Sequence, residues 1–412
     1  MCGAWCVLSS PILATDSIKL SGSIFGTTYS ISLRDAETLD REQIRSDVDA
    51  RLNEIDRLMS TYRGESDVSR FNVAAAETWF SVDAETARVV ELSQQISDAT
   101  NDAFDVTVAP AVRLWNFGSG SAETFALPST NEIAATQSIV GNAKLEVRSD
   151  PPALRKLVDG LQVDLSAIAK GYAVDEVCRI LDGVDHYMVE IGGEVRVKGS
   201  NRDGSPWRIG LESPVKGERR VDAIVSLDHT ALATSGDYRN FFEYEGVTYS
   251  HTIDPKTCRP VEHQLASVTV LAKTCAQADA WATAISVMGP EVGYAWAESN
   301  GVGAMLMSRT ADGFQRQTTS LFPQPNIQPS KEEPDAKANS NFLQLFLVTA
   351  VVFGIAILAM SLGTIIANRR LQGSCGGIAG LTDTEGKTMC ELCTKPSPEC
   401  SGNPNEEVPA ES

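Results

Sequence analysis

Apolar and polar residues alternate through SIKLSGSIFGTTYSISL at the start of the chain, around Gly22 and Gly26, and this predicts a hairpin of two strands. From Asp40 to Tyr62 the period changes. Ile44, Val48, Leu52, Ile55, Leu58 and Met59 recur at helical spacing, which predicts an amphipathic helix, and a second is expected from Ala84 to Ala99. The stretches VDAIVSLDHTALAT, VTYSHTID and LASVTVLA read as strands, whereas CAQADAWATAISVMG reads as a helix stopped by Gly289 and Pro290. Strands cluster rather than alternating with helices, so the expected class is α+β with antiparallel pairing. No internal repeat is visible.

The pattern breaks down near the C-terminus. No charged residue occurs between Ala338 and Asn368, and Phe342 to Ala367 is dominated by Leu, Val, Ile, Phe and Ala. As a helix these roughly 26 residues reach about 39 Å, enough to cross a hydrocarbon core of about 30 Å. The expected layout is an incomplete signal or leader remnant at 1–16, a catalytic-sized body at 17–322, a Pro-rich polar linker at 323–340, one transmembrane helix at 341–368 and a Cys-rich tail at 369–412. Arg369 and Arg370 directly follow the span, while lysines on the other flank are diluted by Glu332, Glu333 and Asp335, which favours tail inside and body outside. Ala4 to Ala14 is apolar, but no basic residue precedes Lys19, so a full secretory signal is missing.

Composition narrows the function. The 412 residues carry a net charge of −19, and no basic run precedes Arg369, which argues against nucleic-acid binding. Cys178, Cys258 and Cys275 are scattered through the body and read as ordinary packed or surface residues, whereas Cys375, Cys390, Cys393 and Cys400 crowd the tail. No G-x-G-x-x-G follows a strand, EGKT lacks the upstream glycine of a P-loop, and ATSGDY reads as a turn. Four histidines without ligand spacing make a His-based zinc site improbable.

Three polar clusters remain. DLSAIAKGYAVD places Asp164 at a strand end, Lys170 where it can meet a phosphate and Gly171 where backbone can approach a ligand; a plain strand-to-helix turn explains it equally. Asp279 and Thr283 of ADAWAT share one helix face, suited either to a hard cation such as Mg2+ or to solvent. YSHTIDP isolates His251 beside a turn, a place for a general base.

GTTYS, MSTYRGESDVSRFN, AFDVTVAPAVRLWNFG, VDLSAIAKGYAVD, EIGGEVRVKG, ATSGDYRNFF, YSHTIDPKT and ADAWATAISVMG, in this order, resemble the ApbE family of FAD:protein FMN transferases over about 17–322. The resemblance implies that FAD is split at its pyrophosphate and FMN is joined to a threonine of a target protein. It implies FAD contacts from Phe25, Tyr62, Ala103, Phe104, Asp105, Asp164, Lys170 and Ile253. It places Mg2+ on the Ala167 backbone oxygen, Asp279 and Thr283, with Ala282 nearby, and it makes His251 the base for the threonine hydroxyl. The family's DPKTG turn is DPKTC here, so Cys258 is strained if that position needs positive φ.

The span followed by NRRLQGSCGG, CELC and a last cysteine resembles NqrM, a maturation factor of the sodium-pumping NADH:quinone reductase, over about 341–400. That likeness implies subunits of this reductase as flavin acceptors, iron on the four tail cysteines, and an inner-membrane protein with a periplasmic body. A zinc knot or a redox pair fits the same thiols, since thiolates suit iron and zinc alike. The alternative for the whole chain is a membrane-anchored FAD-binding scaffold with a metal-carrying tail and no transfer activity.

Overall fold

The computed structural model describes residues 17–327 apart from 37, 119–125, 216–219, 238–240 and 245, together with 349–351 and 353. The chain divides into two units, Met1–Pro329 and Ser330–Ser412. In the second, 349–351 and 353 are helical. The rest of the expected span at 341–368, the leader at 1–16 and Cys375, Cys390, Cys393 and Cys400 lie outside the described residues. Among the described residues no helix is long and apolar enough to cross a membrane.

The first unit is built on an eight-stranded antiparallel sheet. Its strands run Ile18–Ile24, Thr27–Arg34, His186–Ile191, Glu194–Lys198, Thr230–Gly236, Leu265–Ala272, Gly303–Thr310 and Gly313–Thr318, neighbours in space in that same order. The α+β class and the antiparallel pairing therefore hold. The opening hairpin pairs Ile18 with Leu33 through Ile24 with Thr27, as the alternation requires. ATSG, read from sequence as a turn, is instead the end of the Thr230–Gly236 strand, held by pairing with Leu265–Ala272.

The period of two along the strands separates two cores. Ala231, Ala233, Val268, Val270, Ala304 and Leu306 face helices Ser166–Ile180, Cys275–Met288 and Pro290–Ser299, while Val195, Val197, Leu232, Met305 and Met307 face the opposite side. There a small sheet, Trp207–Glu212 with Val221–Leu227 and Asn326–Ile327, supplies Trp207, Ile209, Leu211, Ala223, Val225 and Leu227. Each fully buried aliphatic side chain contributes about 1.5–3 kcal/mol. The result is three layers, with helices on one face of the main sheet and the small sheet on the other.

Asp40 caps the helix Arg41–Met59, accepting from the amides of Glu42 and Gln43. The helix stops three residues before the expected Tyr62, because Ser60 is extended (φ −68°, ψ 132°). Its carbonyl accepts from Ser66 and Ser69, so the loop is tied back and Tyr62 is left 74% exposed. Ala84–Ala99 forms as expected, as does Cys275–Met288, which ends at Gly289 (φ 81°) before Pro290 starts the next helix.

Candidate active site

A cavity of about 730 Å3 opens where the helix layer meets the 103–118 segment, the 192–193 turn, the 251–255 turn and the strand Trp207–Glu212. Its wall contains Tyr62, Ala103, Phe104, Asp105, Asp164, Ala167, Lys170, His251, Ile253, Asp279 and Thr283. Phe25 and Ala282 are not on the wall. Phe25 sits with φ 52° in the first hairpin turn and packs against the main core, and Ala282 is fully buried between its helix and the sheet.

Gly171 explains how segments a hundred residues apart converge. A Cβ built there would lie 2.6 Å from the carbonyl carbon of Cys275, closer still to its oxygen, and 2.8 Å from the Ala276 nitrogen. Glycine therefore lets two helix backbones touch, which corrects the expectation of a close approach to ligand. Asp175 completes the joint by accepting from the Cys275 and Ala276 amides, both at 3.0 Å, and by pairing with Arg196 at 2.5 Å. Burial raises the Asp175 pKa despite these partners.

With the helices in contact, Lys170 and Asp279 meet. Lys170 Nζ is 2.6 Å from Glu194 Oε1 and 3.7 Å from Asp279 Oδ1. The Gly171 amide, whose regular helical acceptor is the Ala167 carbonyl, reaches Asp279 Oδ2 at 3.1 Å. Burial alone would lower the Lys170 pKa, but the charges of Asp279 and Glu194 outweigh it and hold the ammonium above the usual lysine range. Burial raises Glu194 and Asp279, with Lys170 opposing in both. One lysine thus stands against two buried carboxylates.

Sequence reasoning missed Glu194. Its only signal was position: it follows Gly192 (φ 64°) and Gly193 (φ 108°), the two central residues of a tight hairpin turn pairing Ile191 with Glu194. The pleat then sends Glu194 and Arg196 toward the helices, opposite Val195 and Val197.

Asp164 does not end a strand; it lies in coil between an isolated bridge at Gln162 and the helix. Its carboxylate accepts from the amide (2.8 Å) and hydroxyl (2.5 Å) of Ser166 and so starts the Lys170 helix. Asp105 accepts from the Thr107 amide and hydroxyl, both at 2.7 Å, and burial raises its pKa against those bonds. His251 follows the strand Val247–Ser250 and meets the Phe117 ring edge-on, centroids 6.4 Å apart.

Cys258 has φ 51°. The position does take the left-handed region, at a cost of about 1–2 kcal/mol for a residue with a Cβ. The turn is anchored regardless: the Cys258 amide donates to Asp254 (2.8 Å), its carbonyl accepts from Trp115 Nε1 (2.8 Å), and its side chain is fully buried beside Ile253. Cys178 and Cys275 are also buried, so all three body thiols are packed residues.

Among the described residues no group of three or more His, Cys, Asp or Glu side chains is disposed to hold a metal ion. The residues on the cavity wall that could offer hard oxygen donors to a cation are Asp279, Thr283 one turn on, and Ala167 through its carbonyl. Chemically, the cavity offers an exposed aromatic ring, a half-buried ammonium, oxygen donors and an imidazole. That set suits an aromatic ligand carrying phosphates.

The ApbE family model matches residues 25–306. An FAD:protein FMN transferase of Vibrio cholerae is 43% identical over 310 residues, covering 74% of this chain and 92% of that protein. One of Escherichia coli strain K12 is 35% identical over 313 residues, covering 75% and 89%. Among solved structures, the flavin transferase ApbE from Vibrio cholerae aligns with TM-score 0.69 at 42% identity, covering 75% of this chain and 98% of that one. The apo form of the Pseudomonas stutzeri flavinyl transferase ApbE aligns with TM-score 0.69 at 38% identity, covering 76% and 97%.

Proposed function

The chain belongs to the ApbE family and is a transferase of FMN from FAD to protein, and from that premise we propose how its cavity performs the transfer. The observation that carries the reading is the convergence of Tyr62, Lys170, His251, Asp279 and Thr283, from four distant segments, on one wall. Tyr62, exposed and with its ring free to stack, receives an aromatic face of FAD, and Asp105 and Asp164 offer acceptors to its polar groups. Lys170 meets the pyrophosphate. Asp279, Thr283 and the Ala167 carbonyl hold Mg2+, which supplies charge neutralisation on the phosphates.

His251 accepts the proton of the acceptor threonine as its oxygen attacks the phosphorus of the FMN half. A new phosphorus–oxygen bond forms in line with the breaking bond to the bridging oxygen, and AMP leaves with that electron pair. The rest of the proposal comes from the sequence. The uncharged run at 341–368 anchors the body on the outer side of the inner membrane, the acceptors are subunits of a sodium-pumping NADH:quinone reductase, and Cys375, Cys390, Cys393 and Cys400 handle metal on the inner side. The relatives that carry the transferase name favour catalysis over the inert scaffold.

The test is intact-mass measurement of an acceptor protein after incubation with the full chain, FAD and Mg2+. A gain of one FMN, lost on chelation and lost in Asp279→Ala with its circular dichroism unchanged, is the expected result. Transfer retained by Asp279→Ala refutes the cation assignment, and no gain with wild type refutes the choice of acceptor.

A further inference from the structure

Glu194 is 2% exposed and its Oε1 is bound to Lys170, yet Oε2 has no hydrogen-bond partner although the residue lines the cavity. A buried carboxylate oxygen without a donor is costly, and native interiors seldom leave one unmatched. Its nearest charged neighbours are Lys170 and Asp279, and with both carboxylates ionised this corner carries one negative charge in excess before any substrate enters. A pyrophosphate would deepen the excess by two more charges. Resting on the cation reading above, we propose that Glu194 is a further ligand of the same divalent cation, Oε1 steadying the Lys170 ammonium while Oε2 faces the ion directly or through one bound water.

The fold supports this division of labour. The 192–193 turn fixes the start of the Glu194 strand, and Gly192 (φ 64°) is crowded by Thr27, a Cβ there lying 2.9 Å from Thr27 Cγ2 and in ordinary contact with Lys170 Cδ. Glu194 is therefore held from the sheet while Asp279 is held from the helix layer, and both carboxylates reach one ammonium. Two carboxylates from different elements, a hydroxyl and a carbonyl form a mixed oxygen set suited to Mg2+ or Mn2+.

Mn2+ serves as the probe. The full chain, its E194Q variant and a D279N control are titrated with Mn2+ at saturating FAD, with free ion followed by electron paramagnetic resonance, and FAD affinity measured separately by flavin fluorescence. E194Q should weaken Mn2+ binding at least about tenfold, the usual loss for a removed ligand or its supporting partner. Unchanged Mn2+ affinity in E194Q beside lost affinity in D279N overturns the role of Glu194 alone, and a fall only in FAD affinity likewise reduces it to a support for Lys170. Unchanged affinity in D279N overturns the cation site itself. If E194Q does not fold, E194D carries the test: its carboxylate, withdrawn by one methylene, must still weaken Mn2+ binding at an unchanged melting temperature, and wild-type affinity there overturns the proposal.

Discussion

Replacing Gly171 by alanine pits helix propensity against packing, and the two predict opposite signs. In the middle of an exposed helix the change would stabilise by about 1 kcal/mol. Here the new methyl would stand 2.6 Å from the Cys275 carbonyl carbon and 2.8 Å from the Ala276 nitrogen, where an ordinary contact begins at 3.4 Å. All the atoms it meets are backbone, so relief requires the two helices to part by roughly 1 Å. Overpacking of that kind costs about 1–3 kcal/mol. Parting also stretches the 3.1 Å bond from the Gly171 amide to Asp279 and the two 3.0 Å bonds to Asp175, and a weakened bond to a charged group costs about 1.5–3 kcal/mol. Less the propensity gain, Gly171→Ala should destabilise the body by about 1.5–5 kcal/mol, read as a lower urea midpoint at constant m. Flavin transfer should fall with it, because Lys170 and Asp279 are set by the same joint. A variant as stable as wild type, or more so, would refute the account of how the two helices meet.

Other substitutions separate binding from chemistry. Tyr62→Ala should leave stability within about 0.5 kcal/mol, since the ring is exposed, and weaken FAD binding about 2- to 12-fold by fluorescence titration. His251→Asn should keep FAD affinity but slow transfer about 10^2- to 10^4-fold in single-turnover mass measurements; a loss in affinity alone would place it in binding. Burial pushes the Cys258 thiol up to about 11. The unfolded thiol releases its proton near pH 8.5, so above that pH the native state binds more protons than the unfolded one and stability falls, by up to about 1.4 kcal/mol per pH unit for this thiol, until pH reaches about 11. Cys258→Ala should flatten the stability profile between those limits, and an unchanged slope would refute the raised value.

The opening hairpin and the long helices were legible because a single period runs unbroken through each, and one face of each is buried. Of the small sheet, the two strands between Lys198 and Thr230 were half legible: VDAIVSL read as a strand, but Trp207–Glu212, with exposed Arg208 and Gly210 between buried residues, carries a signal too short to stand alone. ATSG read as a turn because serine and glycine favour turns, yet pairing of all four residues with Ser267–Val270 overrode that preference. Asp164, Lys170, His251 and Asp279 were chosen from motifs and all reached the cavity.

Glu194 shows why motif reading stops where it does. In the sequence it is one more charged residue in a strand, with no helical spacing to Asp279 and 24 positions from Lys170. Its importance arises only when three things coincide: a glycine pair that turns the strand, a pleat that points the carboxylate at the helices, and Gly171, which lets a second helix deliver Asp279 to the same ammonium. Each of these is a tertiary fact, and removal of any one leaves the others without chemical meaning. A buried carboxylate oxygen left unmatched within the chain is costly, and a bound cation would complete it. In a transferase whose substrate carries a pyrophosphate, a cation would supply that missing positive charge, and under the cation proposal the unmatched oxygen of Glu194 and the acidity around Lys170 belong to one site rather than two.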